Sequence, residues 1–115
     1  MATTYKILGQ GVPTTSTSTT LYQVPNTSTS TIVSTINIAN TTGAAANAFL
    51  YVVKGGGSAG TSNAIAHSVA CPANSTTSFT LGITLSSTSG TVDFIVCGSG
   101  TSGSLTFQAF GSEIS

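Results

Sequence analysis

The stretch "SFTLGITLS", residues 78–86, alternates apolar and polar side chains along its length. Its apolar members are predicted to share one face of a strand: Phe79, Leu81, Ile83 and Leu85. Because successive side chains of a strand point to opposite faces, this period of two predicts a β-strand with one buried side. The same alternation recurs in "TVDFIVCG" (91–98) and in "SLTFQAFG" (104–111). The chain is therefore expected to be an all-β protein.

Eight candidate strands follow one another along the chain, and helix signals are nearly absent. The strands are predicted at residues 4–9, 19–24, 30–39, 47–54, 64–71, 76–86, 90–98 and 103–111. In the third of them, Ile32, Ile36 and Ile38 are predicted to share one face, interrupted by Ser34. Turns rich in Gly, Pro, Asn and Ser separate the strands. This pattern predicts a single antiparallel β-sandwich over residues 1–115, of jelly-roll or immunoglobulin-like type.

Formal charges are almost missing from the 115 residues. They are carried by four side chains, and they cancel: Lys6, Lys54, Asp93 and Glu113. Charged residues make up 3% of the chain, against roughly a quarter in ordinary soluble domains. Because phosphate binding depends on Lys and Arg, the composition argues against a nucleic-acid partner, and no apolar run is long enough for a membrane helix. A net charge near zero leaves copies without mutual repulsion, which favours packing in an assembly.

The compartment expected for this chain is reducing. The N-terminus "MATTYKILGQ" lacks the basic and apolar regions of a secretory signal, so assembly in a cytosol is expected. Cys71 and Cys97 are then predicted to be free thiols, since both lie in apolar, strand-like contexts where a thiol behaves as a small hydrophobe. A disulfide between them is the alternative.

Two apolar segments are candidates for contacts between subunits. Residues 9–18, "GQGVPTTSTS", have the composition of a flexible link, so residues 1–18 could form an extended N-terminal arm and linker. The arm would present Tyr5, Ile7 and Leu8, and Lys6 could blunt its edge against unwanted pairing. The stretch "NAFLYVVK" is apolar on both faces, which predicts burial on both sides by a loop or by a partner. Leu50 and Val52, on its second apolar face, are the remaining contact candidates, with ordinary core packing as the alternative for all five.

Side chains that could carry chemistry are few. His67 is the only histidine, and the abundant hydroxyls give a Ser–His–Asp arrangement with Asp93 no specificity. His67 has the strand parity of Ile65 and Val69, which predicts a packed or hydrogen-bonded ring. Asp93 and Glu113 are interpreted as solvated charges rather than as the carboxylate pair of a glycosidase. One His and two separated Cys have no zinc-site spacing. No catalytic residue, cofactor or metal is therefore expected.

Four phrases of the sequence carry a resemblance to a known group of proteins. They are "ATTYKILGQ" (2–10), "TTLYQVP" (19–25), "STIVSTINIAN" (30–40) and "FQAFGSEI" (107–114). In these phrases the chain resembles small structural proteins of tailed bacteriophages, notably phages of cyanobacteria and marine bacteria. "YKILGQ" and "FGSEI" are the most specific parts, while residues 41–75 depart from the pattern by being rich in Gly and Ala.

The resemblance implies a virion component of β-sandwich type without catalytic residues. Its first implication is a capsid decoration or cement protein on the outside of the head shell. The expected partners are other virion proteins, above all the major capsid protein, and further copies of the chain, for example in a trimer. The alternative is a tail, baseplate or fibre component, with a host-attachment role through loops 41–46 and 55–63. In both cases the expected location is the virion, assembled in the host cytoplasm.

Overall fold

The computed structural model of the chain describes residues 2–17, 19–88 and 90–115. These residues form ten strands and one short 3-10 helix, Thr61–Asn63. The strands are β1 (Thr3–Gly11), β2 (Thr19–Gln23), β3 (Ser30–Asn40), β4 (Ala46–Val53), β5 (Ala64–Cys71), β6 (Thr76–Leu85), β7 (Ser87–Thr88), β8 (Thr91–Val92), β9 (Phe94–Ser99) and β10 (Leu105–Ile114). All eight predicted strands are present, and the one predicted at 90–98 is divided at Asp93 into β8 and β9. No helix among the described residues has the length and apolar character needed to span a membrane.

The eight longer strands form two antiparallel sheets packed face to face. The first sheet has the order β1-β10-β3-β6, and the second has the order β2-β9-β4-β5. The pairs β1–β10, β2–β9, β3–β6 and β4–β5 are those of one long hairpin rolled over itself. This is the jelly-roll arrangement of two four-stranded sheets. The predicted antiparallel sandwich is confirmed, and of the two predicted types the structure has the jelly roll.

The core lies between the two sheets, where the inward-facing side chains of both meet. On β10 the buried residues alternate with more exposed ones from Leu105 to Phe110, as the sequence pattern predicts. The largest fully buried apolar side chains are Phe107, Ile36, Ile38, Leu50, Leu85, Ile95, Leu105, Val24, Val33 and Val53. Cys71 and Cys97 are buried free thiols in this core, so the prediction of unpaired cysteines is confirmed. Burial raises the pKa of the Cys97 thiol to about 12, which keeps it protonated and unreactive.

The alternation predicted for residues 78–86 holds with one exception. Phe79 and Ile83 pack against the core and Leu85 is buried within it. Leu81, by contrast, is 38% exposed. The pairing of β3 with β6 shifts register between Val33 and Thr35, opposite this part of β6. A β-bulge takes one side chain out of the alternating pattern, and a period of two in the sequence carries no signal for it.

Strand β4 is buried on both sides, as its composition predicts. Leu50 is fully buried and Val52 packs against the same central core, so both point inward rather than to an outward face. The outward side belongs to a second, smaller cluster: Tyr51, Val53 and Val96, with Phe49, Ala59, Ala64 and Phe94 packed against them. Ala59 lies in the loop between β4 and β5, so a loop of the same chain covers this side. A loop of the same chain supplies the predicted cover, and Leu50 and Val52 share the face opposite Tyr51 and Val53, as the sequence pattern predicts. Their packing is the core packing that the sequence offered as the alternative to a subunit contact.

The segment predicted as an arm and linker is part of the sandwich. Strand β1 pairs with β10 of its own chain as far as Gly11, so residues 9–11 continue the strand. Beyond it Pro13 is fully buried, and the backbone N–H of Ser99 donates to the carbonyl of Thr15 at 2.9 Å. A Cβ added at Gly98 would lie 1.9 Å from the carbonyl oxygen of Ser16, so this segment lies directly on β9. Met1 and Ser18 fall outside the described residues, and pairing of β1 with a neighbouring subunit stays a prediction.

Candidate functional site

The outward face of the first sheet carries a group of exposed apolar side chains. Tyr5 is 83% exposed, Ile7 54% and Ile32 40%, which is unusual for large apolar residues on regular strands. The pairing register brings them together, because Tyr5 and Ile32 both lie opposite Ser112 on the intervening strand β10. Antiparallel partners share a face of the sheet, so these side chains point outward side by side.

Two residues of β10 complete this group. Phe110 lies opposite Ile7, and Ile114 lies opposite Thr3, both on the outward side because their neighbours in sequence face the core. Both side chains are partly buried. We call the group the outer patch, and it consists of Tyr5, Ile7, Ile32, Phe110 and Ile114. It extends over three adjacent strands, β1, β10 and β3.

No formally charged side chain points from this face among the described residues. Lys6 lies opposite Gly111 and therefore points to the core side, as does Glu113, which lies opposite Thr31. Lys54 and Asp93 lie outside the four strands of the first sheet. The outer patch is instead surrounded by hydroxyl and amide side chains such as Thr35, Asn37, Thr84 and Gln108. Another surface could cover this face without taking a charge out of water.

Behind the outer patch, a polar network fixes strand β1 to the rest of the sandwich. The Lys6 ammonium donates to the Glu113 carboxylate at 3.1 Å. The Tyr22 hydroxyl donates to the other carboxylate oxygen, and its own oxygen lies 2.7 Å from the Thr31 hydroxyl. Thr31 is fully buried, so the network closes the end of the core. The network joins β1, β2, β3 and β10 and therefore sets the position of the strand that carries Tyr5 and Ile7.

The same contacts shift the pKa values of Glu113 and Tyr22. The Tyr22 hydrogen bond and, more weakly, the Lys6 ammonium hold the pKa of Glu113 below its ordinary value of 4.5, against the opposing effect of burial. Burial and the Glu113 carboxylate together raise the pKa of Tyr22 to about 12. The network is thus expected to be intact, with Glu113 ionised and Tyr22 neutral, over the whole neutral range.

Glu113→Gln is expected to weaken the pH dependence of stability on the acid side. The pKa of Glu113 is lower in the folded protein than in the unfolded chain. Its contribution to stability is therefore complete at pH values above the pKa of the unfolded chain, and it is lost as pH falls through the pKa of the folded protein. The difference in melting temperature between the natural chain and the variant should therefore shrink as pH is lowered from 7 to below about 4. Lys6→Gln is the control, since it keeps the Tyr22 contact and should retain most of the dependence. Parallel curves for the natural chain and Glu113→Gln would contradict this assignment.

The structure brings together some of the predicted contact residues and separates others. Tyr5 and Ile7 lie in the outer patch, whereas Leu8 sits at a bulge in β1 and packs against the core. Ile32 was not predicted there, because it was placed on one face with Ile36 and Ile38. That prediction is wrong: Ser34 is an extra residue in β3 at a register shift, so Ile32 points outward while the other two point inward.

The side chains considered for chemistry have structural contacts instead. The ring of His67 is exposed and meets Phe49 edge to face, with centroids 5.3 Å apart. The carboxylate of Asp93 accepts hydrogen bonds from the backbone N–H of Gly55 at 2.8 Å and of Ser86 at 3.0 Å. Asp93 therefore joins two loops rather than standing in solvent as predicted. Within the described ranges, no group of His, Cys, Asp and Glu is placed to hold a metal ion.

One of the two loops predicted for host contact borders a depression. The depression measures about 620 Å³ and is open to solvent. It lies between the end of β4 and the start of β5, and its polar lining comes from Lys54, Ser58, Ser62 and Asn63. Asn63 is occupied in holding the loop, since its amide donates to the carbonyl of Ser58 at 2.9 Å and accepts from the N–H of Gly60 at 3.0 Å.

Comparison with known proteins finds likeness in structure and not in sequence. No model of a protein family matches the chain, and no curated protein matches it. A chain of the T13 viral particle of infectious bursal disease virus has a TM-score of 0.56 at 13% identity, covering 97% of this chain and 29% of that one. A chain of the Gx strain of the same virus has a TM-score of 0.47 at 16% identity, covering 97% and 30%. This chain therefore spans less than a third of those proteins, and the first likeness shows that the fold occurs in a viral particle.

Proposed function

We propose that this protein is a structural component of a virion, and specifically a capsid decoration or cement protein of a tailed bacteriophage that binds the outside of the head shell. The observation that carries the proposal is a jelly-roll sandwich whose chain is almost free of formal charge. Jelly rolls are a common architecture of viral capsid domains. The likeness over 97% of the chain to part of a viral particle protein supports a role of this kind.

The surface chemistry fits a protein that works in a crowded assembly. Contacts made by apolar, hydroxyl and amide groups are weakened by salt less than ion pairs are, because they involve no charges to screen. Two Lys and no Arg give little attraction for nucleic acid. We infer that the partners are the major capsid protein and further copies of this chain, without a membrane, a cofactor or an enzymatic step.

A tail, baseplate or fibre role is the second candidate. The observation that favours it is the open depression beside Lys54, at loop 55–63, which is one of the two loops expected to contact a host. A receptor or carbohydrate could bind there through hydroxyl and amide groups. The two roles differ in copy number, because a decoration protein covers the head in hundreds of copies and a fibre tip has few.

Gold labelling of purified virions with an antibody to this protein tests the proposal. We expect label spread evenly over the head, and protein staining that gives hundreds of copies per particle. Label confined to the tail, with few copies, would replace the decoration role by the second candidate. Probing denatured virions with the same antibody is the control for a hidden epitope, and absence of the protein from them would overturn a structural role altogether.

A further inference from the structure

We propose that the outer patch is the contact through which two copies of this protein pack together, with the outward faces of their first sheets opposed. The inference rests on the self-association that the proposed function includes, and it assigns that association to one surface. It also identifies the occupant of the surface as a second copy of the chain rather than a different protein.

Charge is the first argument for a second copy. The face has no formal charge, so two identical faces can meet without opposing like charges and without burying an unpaired ion. A partner with a charged surface would lose solvation on contact and gain no ion pair in return. The hydroxyl and amide groups around the patch, such as Thr84 and Gln108, can both donate and accept hydrogen bonds, so they too can pair with copies of themselves.

Size is the second argument. The first sheet has four strands, and its central strand β10 has ten residues. With strands about 4.8 Å apart and a rise of about 3.3 Å per residue, the flat area of one face is roughly 600 Å², without the extra area of protruding side chains. A standard protein interface buries about 800 Å² on each partner. One sheet face is therefore close to the area that a stable pair of copies needs. Stacked sheets pack about 10 Å apart, which the modest side chains of this face allow.

The edge of the same sheet is a poorer route to association. The sheet has two edge strands, β1 and β6, and the pairing of each is interrupted by a register shift. Strand β1 also carries the inward-pointing charge of Lys6. Bulges and inward charges are devices that prevent a strand from being added at an edge. The face next to this edge has no such device and instead exposes Tyr5 and Ile7. Association through the face is thus favoured over continuation of the sheet into a neighbour.

A two-fold contact uses the same residues on both sides. Tyr5 and Phe110 supply aromatic side chains, the type most often found to dominate binding energy at interfaces. Ile32 lies on the other side of β10 from Tyr5. Two opposed copies would therefore place the exposed Tyr5 ring of each against the isoleucines of the other.

The test compares the full chain with a variant that places charges in the outer patch. We expect the natural chain to sediment as a dimer, and Ile7→Lys combined with Ile32→Lys to weaken the association by about tenfold or more. Ile65→Lys is the matched control, because Ile65 is similarly exposed, at 43%, but lies on the second sheet. The control should sediment as the natural chain does. Circular dichroism confirms that each variant is folded, and Ile32→Ser replaces the double variant if that one does not fold.

Two results would overturn the inference. One is a natural chain that remains monomeric at every concentration up to its solubility limit. The other is an oligomer that the substitutions in the outer patch leave unchanged. Neither result would contradict the proposed function if gold label is found on virions. Conversely, dimers that depend on the patch, with the protein absent from virions, would support the contact and overturn the proposed function.

Discussion

Phe107→Ala is expected to lower the free energy of unfolding by about 3–5 kcal/mol. Phe107 is fully buried and lies on β10, a central strand of the first sheet, so its ring is enclosed by both sheets. Removing it loses the apolar area and also leaves a cavity, because two hydrogen-bonded sheets cannot collapse into the space. Native domains are stable by only about 5–15 kcal/mol, so the loss would be a large part of the total.

Urea unfolding, followed by circular dichroism, measures this loss. Phe110→Ala is the matched control, because it removes the same ring from the same strand on the outward, partly exposed side. We expect the control to cost about 1 kcal/mol when the protein is dilute enough to be monomeric. Equal losses for the two variants would contradict the placement of the core between the sheets.

Asn40→Asp is expected to cost about 2 kcal/mol or more at neutral pH. Asn40 is buried at the end of β3, and its amide nitrogen donates to the carbonyls of Ala44 at 2.9 Å and of Cys71 at 3.0 Å. Its amide oxygen accepts from the N–H of Thr42 at 3.0 Å. The substitution replaces the donating group by an oxygen that faces two carbonyl oxygens, while the shape of the side chain is kept.

The stability of Asn40→Asp should depend on pH, and this dependence separates the effect of the new carboxylate from a change of packing. A buried carboxylate that faces two carbonyls has a raised pKa, and its protonated form regains a donor. The loss relative to the natural chain should therefore shrink as pH falls, which a mere change of packing would not produce. Asn37→Asp is the control on the same strand, because the side-chain contact that Asn37 makes among the described residues is through its oxygen, which accepts from the Ser78 hydroxyl at 2.7 Å. It should change stability by less than about 0.5 kcal/mol, and equal effects at both sites would contradict the account.

The strands and their buried faces could largely be predicted from the sequence. An alternation with period two directly indicates which side chains share a face of a strand. On β10 the buried residues Leu105, Phe107 and Ala109 follow this alternation. The choice between a jelly roll and an immunoglobulin-like sandwich could not be predicted. It depends on pairs such as Lys6 and Glu113, which are 107 residues apart and leave no local pattern.

The candidate surface was predicted only in part. Tyr5 and Ile7 were predicted from their apolar character in an apparently free segment. Ile32 was assigned to the wrong face because the bulge at Ser34 reverses the alternation of β3, and Ser is equally at home in a regular strand. Strand β4 was ambiguous for another reason: both of its faces are apolar, so only the position of the covering loop identifies the outward one.

The rolled-hairpin topology also determines the order in which the molecule can be assembled. The β4–β5 hairpin closes over residues 54–63 alone, whereas β1 must find β10 more than ninety residues further along the sequence. Closing longer loops costs more entropy before any contact repays it, so folding should start at β4–β5 and finish slowly at β1–β10. Among the ten strands, β10 is synthesised after the other nine, and it lies between β1 and β3. Until it leaves the ribosome both neighbours have unpaired edges, and a nascent chain at high expression would depend on chaperones to keep those edges from joining another copy.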